Sequence, residues 1–211
     1  MKKEKKLIYV PILHTTSDMG TFAGSMRETY VKKFGKKKWG EHVRVIDEMW
    51  LGIRKRLRTL KLPFRKVKVY QDGLPICGKE KKIIHDLAKR GSPNHELVLW
   101  LIQQGAMVVG TEDPRLLVRE YTHLKKIMES KTHQERERLV HEFEKEADEL
   151  LKKRDQRIRD QIVLTLRSGE TGVIFLGLLH RVDEILPPEI KISYLIHRLP
   201  FRRSFEMEMV A

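Results

Sequence analysis

One stretch limits the possible folds more than any other. Residues 172–179 read Gly-Val-Ile-Phe-Leu-Gly-Leu-Leu, without a single polar side chain. A strand wetted on one side alternates polar and apolar residues, so an unbroken apolar run describes a strand covered on both faces. That is the central position of a sheet with helices on either side. Residues 7–13, 66–70, 106–109 and 190–196 also read as strands. Stretches of helical periodicity separate them, which favours parallel pairing through right-handed crossovers. The expected fold is therefore α/β, a single domain over 1–211 built on a mostly parallel sheet of about five strands flanked by helices.

The helical stretches have their own punctuation. Met19, Phe22, Ala23, Met26, Tyr30 and Phe34 fall at helical spacing, with Thr16, Ser17 or Asp18 as N-cap, and Gly35 ends that run. A second helix carries Val43, Ile46, Trp50, Ile53 and Leu57 and stops at Pro63. Ile83, Ile84 and Leu87 precede Gly91-Ser92-Pro93-Asn94, and Leu97, Leu101 and Ile102 follow it, which predicts a helix pair with a capped break. Asp113-Pro114 has the order of N-cap and first helical residue.

Charge is distributed unevenly. The chain carries a formal +14, and residues 32–68 hold fourteen Lys/Arg against Glu41, Asp47 and Glu48. A segment of that sign attracts phosphate, nucleic acid or an anionic small molecule; the plainer reading is a solvated surface like those of heat-adapted proteins. This segment, at about 36–63, reads as a basic helical insertion. No apolar run approaches the ~20 residues of a spanning helix, and the basic N-terminus leads into no signal-peptide pattern. Cys77 is the single cysteine, so neither a disulfide within the chain nor a cysteine zinc cluster is available. A cytoplasmic location without a membrane partner is expected.

In an open parallel sheet, ligands bind beyond the carboxyl ends of the strands, where loops and helix N-termini converge. The first strand runs into His14-Thr15-Thr16-Ser17-Asp18, the second into Gln71-Asp72-Gly73, the third into Gly110-Thr111-Glu112-Asp113 and the fourth into His180. One such imidazole or carboxylate is commonly a hydrogen-bonded core residue, or a helix cap as with Asp113; four together point to a site. Neutral His and ionised Asp/Glu are ligands for zinc, manganese or cobalt, and also serve as general bases and acids.

The helix before the fourth strand supplies an independent signal. Leu139, Val140, Phe143, Ala147, Leu150, Leu151, Ile158, Ile162 and Leu166 mark its buried stripe, and Arg154 fills the gap in it. A guanidinium on a buried face requires a partner, so Arg154 is expected to meet a carboxylate or an anionic ligand, with Asp155 beside it holding the geometry. Dinucleotide and phosphate-binding glycine loops, a nucleophile elbow and a His-Glu-x-x-His motif are all missing from the sequence. Hydroxyls at Thr15, Thr16 and Ser17 read as caps more readily than as nucleophiles.

Arg154-Asp155-Gln156-Arg157-Ile158 resembles an Arg-Asn-x-x-Met helix motif, and Gly177-Leu178-Leu179-His180 resembles the second Gly-x-x-His of the same superfamily. That superfamily includes TraB/PrgY-type proteins, Tiki metalloproteases and erythromycin-esterase-like or ChaN-like proteins. The first Gly-x-x-His falls at Pro11-Ile12-Leu13-His14, with Pro in place of Gly, and Asp155 replaces the usual Asn. The resemblance implies His14 and His180 as paired site histidines, Arg154 as their support and Glu112 or Asp72 as the acidic member. Members resemble metal-dependent peptidases, metal-free esterases or a haem-binding protein, so the resemblance implies a site more than one reaction. The segments around His14, Asp72 and Glu112 are also similar to those of a prokaryotic family.

The expected function is that of a hydrolase acting on a small molecule or peptide. Water is activated by a divalent metal (Mn, Zn or Co) held by His14, His180 and one or both of Asp72 and Glu112, while Arg154 stabilises developing negative charge. His14, Glu112, Arg154 and His180 are the expected catalytic residues, and Asp18, Asp72 and Asp155 the expected substrate contacts. Without a metal, His14 becomes the general base. The alternative is a binding protein for an anionic ligand or nucleic acid that uses residues 32–68.

Overall fold

The computed structural model describes residues 3–15, 18 and 23–197. The expected cap at Thr16 or Ser17 and the face positions Met19 and Phe22 lie outside the described residues. Five strands form one sheet: β1 (Lys5–Ile12), β2 (Val67–Gln71), β3 (Met107–Val109), β4 (Thr171–Gly177) and β5 (Ile190–Tyr194). Their order is β3-β2-β4-β1-β5, and every neighbouring pair is parallel. The helices are α1 (Ala23–Thr59), α2 (Glu80–Lys89), α3 (Pro93–Gln103), α4 (Pro114–Glu129), α5 (His133–Thr165) and the short α6 (Val182–Ile185).

The apolar run is the central strand, as its composition demands. Val173, Ile174, Phe175 and Leu176 are all 0% exposed. Successive side chains enter opposite layers. Val173 and Phe175 join a core with Val10, Val69, Trp50, Ile53, Ile84 and Leu101, which α1, α2 and α3 cover. Ile174 and Leu176 join a second core with Tyr9, Tyr70, Ile158, Ile162 and Val182, under α5 and α6. Truncating Phe175 to Ala removes one such layer contact at a cost of roughly 3–5 kcal/mol.

The fourth strand ends at Gly177, not at residue 179. The chain turns there, with His180 N–H donating to Gly177 C=O at 3.1 Å, and Leu178 and Leu179 become exposed. The break between α2 and α3 is as read from sequence: Ser92 accepts a hydrogen bond from His95 N–H and Pro93 opens the next helix. Asp113 likewise caps α4 by accepting from Arg115 N–H.

Gly35 interrupts α1 with φ 86°, a conformation that only glycine adopts without strain. Of the segment 36–63, the part from Ile46 onward is the crossover helix itself, burying Ile46, Met49, Trp50, Ile53 and Leu57. The part around the bend stands clear of the core. Helix α5 is about 50 Å long at 1.5 Å per residue, and its buried residues begin at Leu150. No described helix is long and apolar enough to cross a membrane.

Candidate functional site

The sheet order decides what meets at its carboxyl edge. Strand β4 lies between β1 and β2, with Ile12 beside Gly177 and Gln71 beside Phe175. The residues that follow β1 and β2 therefore flank the end of β4. Asp72 N–H extends the ladder to Phe175 C=O at 2.9 Å, and its side chain turns back so that Oδ2 accepts from Gly177 N–H at 2.9 Å. A Cβ placed on Gly177 would lie 2.9 Å from Asp72 Oδ2, 3.5 Å from His14 Nε2 and 3.8 Å from the His180 ring. Gly177 is thus the floor of a cradle formed by Asp72, His14 and His180.

His14 Nε2 lies 3.2 Å from Asp72 Oδ2, and its side chain is 34% exposed. His180 is enclosed: Nε2 lies 3.3 Å from Asp72 Oδ1, and Nδ1 lies 2.5 Å from Asp155 Oδ1. Asp155 also accepts from Arg181 N–H at 3.0 Å, so one carboxylate of α5 fixes both the ring and the backbone that carries it. Tyr9 adds a hydrogen bond from its hydroxyl to His180 C=O.

Arg154 meets carboxylates, as its place on the buried stripe requires. Its Nε donates to Glu112 Oε2 at 2.5 Å and its Nη2 to Glu112 Oε1 at 2.9 Å, a two-pronged fork. Nη2 also donates to Asp72 Oδ1 at 2.9 Å, and Nη1 donates to both oxygens of Glu120, at 3.0 and 2.8 Å. Glu112 is 0% exposed. The loop after β2 holds it through a 2.6 Å bond from Gly73 N–H to Oε1 and through Ile76 N–H to its carbonyl. His14, Asp72, Glu112, Arg154, Asp155 and His180 thus belong to one hydrogen-bonded cluster.

Asp18 is placed apart from it. Its carboxylate accepts from Thr15 N–H at 2.7 Å and Thr15 Oγ1 at 2.8 Å, meets Ser92 Oγ, and lies 3.3 Å from His95 Nδ1. It ties the β1–α1 connection to the cap of α3 and reaches His14 through its charge. Ser92 was legible only as a helix cap, and Glu120 and His95 carried no signal that would select them from sequence. The role of Glu120 exists only because α4 lies alongside α5, where it meets Arg154.

The electrostatics separate the two histidines. Burial pulls the His180 pKa down, but hydrogen bonds to Asp155 and Asp72 outweigh it and raise it to about 9. His14 experiences the same opposition, and Asp72 with some help from Asp18 leaves it above the ordinary imidazole value. Burial alone would raise Asp72, yet its hydrogen bonds to the two histidines and their charge hold it well below the usual carboxylate range. Asp18, also buried, is lowered to about 2 by His95, Ser92 and Thr15. Complete burial raises Glu112, Arg154 works against that rise, and the Asp72 charge adds to it.

Among the described residues, no group of three or more His, Cys, Asp or Glu is arranged to hold a metal ion. The donor atoms explain why. Both oxygens of Glu112 and both of Asp72 are taken by Arg154, backbone N–H groups and the imidazoles, and His180 below pH 9 has a proton on each nitrogen. A metal needs several free lone pairs that converge on one point; of the expected set only the outer nitrogen of His14 lacks a described partner, so His14, Asp72, Glu112 and His180 do not fit a metal in this arrangement.

Comparison with protein-family models, with curated proteins and with solved structures found no match for the chain. A separate cleft of about 370 Å³, lined by Arg54, Arg58, Glu96 and Trp100 among others, shares no residue with the site.

Proposed function

We propose that the chain is a hydrolase in which His14 acts as general base on water, without a metal step. The supporting observation is the pairing of a half-exposed His14 with a buried Asp72 over the Gly177 cradle. With the Nε2 proton given to Asp72, Nδ1 carries the lone pair, and among the described residues it has no hydrogen-bond partner. This is the orientation logic of a catalytic carboxylate and histidine pair, with water in the place of a nucleophilic side chain.

The other members keep that pair in place. His180 remains an imidazolium near neutral pH and, with Arg154, returns positive charge to Asp72, so that Asp72 stays ionised and can hold the His14 tautomer. Glu112 and Glu120 fix the guanidinium. Asp155 fixes His180. Because Arg154 gives all of its described hydrogen bonds to carboxylates, it has a positioning role. In the proposed step water adds to an ester or amide carbonyl as its proton passes to His14, and His14 returns that proton to the alcohol or amine that leaves as the acyl bond breaks.

The test is hydrolysis of a panel of chromogenic esters and fluorogenic peptides by chelator-treated protein. Turnover should persist in chelator, fall at least ~100-fold in His14→Ala on the scale of general-base effects, and fall comparably in Asp72→Asn. Full activity in His14→Ala, activity lost on chelation and restored by a divalent ion, or no turnover of any panel member would each count against the proposal.

A further inference from the structure

Charge is arranged in two different ways on this surface. The exposed turns of α5 interleave both signs and close pairs along the helix: His133 with Glu137 at 3.5 Å, Arg138 with Glu142 at 3.7 Å, Lys153 with Glu149 at 2.5 Å. The bend of α1 does not. Lys32, Lys33, Lys36, Lys37 and Lys38 fall within seven residues around Gly35 and are all exposed. Among the described residues none of the five makes an ion pair, and neither do Glu28 and Glu41, the nearest acids in sequence.

The bend is a built feature. Tyr30 lies 5.3 Å, centroid to centroid, from Trp39 and 5.3 Å from His42. Twelve residues of straight helix would separate Tyr30 from His42 by about 18 Å along the axis, so the two arms of α1 fold back on each other at Gly35. Phe34 packs on Tyr30 at 4.9 Å, and Lys33 and Lys38 lie over its ring at 5.3 and 5.5 Å. An aromatic cluster thus pins a tip that presents five like charges, against their mutual repulsion. A surface needed only for solubility is better made as α5 is, with both signs mixed.

We propose that this bend is a docking surface for the phosphate backbone of double-stranded nucleic acid, bound without regard to base sequence. Lysines on flexible stems neutralise phosphates as point charges and carry no base information. A single-stranded partner would call for aromatic faces free for base stacking, but Tyr30, Phe34 and Trp39 are turned on one another. An anionic membrane would call for exposed apolar side chains beside the lysines, and none of the three rings is among the exposed large hydrophobics. The inference is independent of the hydrolase reading, since the bend shares no residue with the His14 cluster.

The experiment is fluorescence anisotropy of a labelled mixed-sequence duplex titrated with the full chain at several salt concentrations. Two variants are compared with the parent. One carries Lys32, Lys33, Lys36, Lys37 and Lys38→Gln; the other carries Arg136, Arg138, Lys145, Lys152 and Lys153→Gln, an equal loss of charge from α5. Thermal melts confirm that both fold. Each phosphate contact contributes about −0.9 to the slope of log affinity against log salt, so the bend variant should lose up to about 4.5 of that slope and at least ~10-fold in affinity at low salt. The α5 variant should stay close to the parent. Equal losses in both variants, an unchanged slope in the bend variant, or binding to phosphatidylserine vesicles with none to duplex would overturn the proposal.

Discussion

Replacing Arg154 with Met isolates the charge at the centre of the site, because Met fills similar volume on the buried stripe and removes only the guanidinium. Three carboxylates lose a partner, but unequally. Asp72 keeps Gly177 N–H, His14 and His180, and Glu120, whose side chain is 31% exposed, can turn to water. Glu112 is left fully buried with a single backbone N–H from Gly73. Removing one partner of a buried ion pair costs about 3–5 kcal/mol, and at roughly 2–4 °C per kcal/mol for a chain of this size the variant should melt some 6–20 °C lower at pH 7.

The pH dependence distinguishes this cause from a simple packing defect. Without Arg154 the Glu112 pKa, already raised by burial, rises further. The native variant then holds a proton that the unfolded chain releases near pH 4.3, so its stability falls as pH rises and the gap to the parent narrows as pH falls toward 5. Adding Glu112→Gln removes the orphaned charge and should recover part of the loss at pH 7. Melting curves from pH 5 to 8 decide the matter. A variant within about 1 kcal/mol of the parent at pH 7, or a gap that does not change with pH, would show that Glu112 is not the group that Arg154 neutralises.

His180 should titrate near pH 9 in ring-proton NMR, and because its folded pKa lies above the unfolded ~6.5, its stabilisation is complete below that value and lost as pH rises through about 9; a midpoint near 6.5 would refute the double carboxylate contact. Gly177→Ala places a methyl 2.9 Å from Asp72 Oδ2, so it should cost about 1–3 kcal/mol in a chemical melt and lower turnover beyond what that loss explains; a neutral substitution would mean the cradle is looser than described. The rate of any hydrolysis should rise with pH through a value above the ordinary ~6.5 of His14, and Asp72→Asn should move that limb toward acid, which a pH profile of kcat/KM would show or deny.

Most of the fold was legible because the strand signals are local. The apolar run around Phe175 announced a doubly covered strand, and Ser92, Asp113 and Gly35 each marked a boundary through the chemistry of its own side chain or lack of one. The strand ends were less legible: Leu178 and Leu179 extend the apolar pattern, yet the turn at Gly177 takes them out of the sheet. Of the site, Arg154 could be found because a charge interrupts an apolar stripe. Glu120 could not, because its partner is fixed by how α4 lies against α5, and Asp18 was grouped with His14 by sequence proximity although its hydrogen bonds lead to α3. The metal expectation followed from residue types alone. Which lone pairs are free depends on hydrogen bonds between strands and helices that no single segment encodes.

One carboxylate gives the two histidines different characters. Asp72 faces both rings, but His180 has Asp155 on its other nitrogen and is enclosed, whereas the His14 side chain is 34% exposed and has no second carboxylate partner among the described residues. Two carboxylates around a buried imidazole make its proton costly to remove, and the His180 pKa rises to about 9; with one carboxylate beside a partly exposed ring, His14 is also raised. Environments that push two such groups apart in acidity are what assigns acid–base roles in a site. The division rests on sheet order, since Asp72 can lie between the rings only if β4 separates β1 from β2 and ends in a residue without a side chain. Exchanging the partners tests the argument: Asp155→Asn should make His180 titrate lower and turn it toward His14 behaviour, while leaving the His14 titration nearly unchanged. If both histidines moved together by equal amounts in ring-proton NMR, they would be one coupled unit, and the assignment of the base to His14 alone would fail.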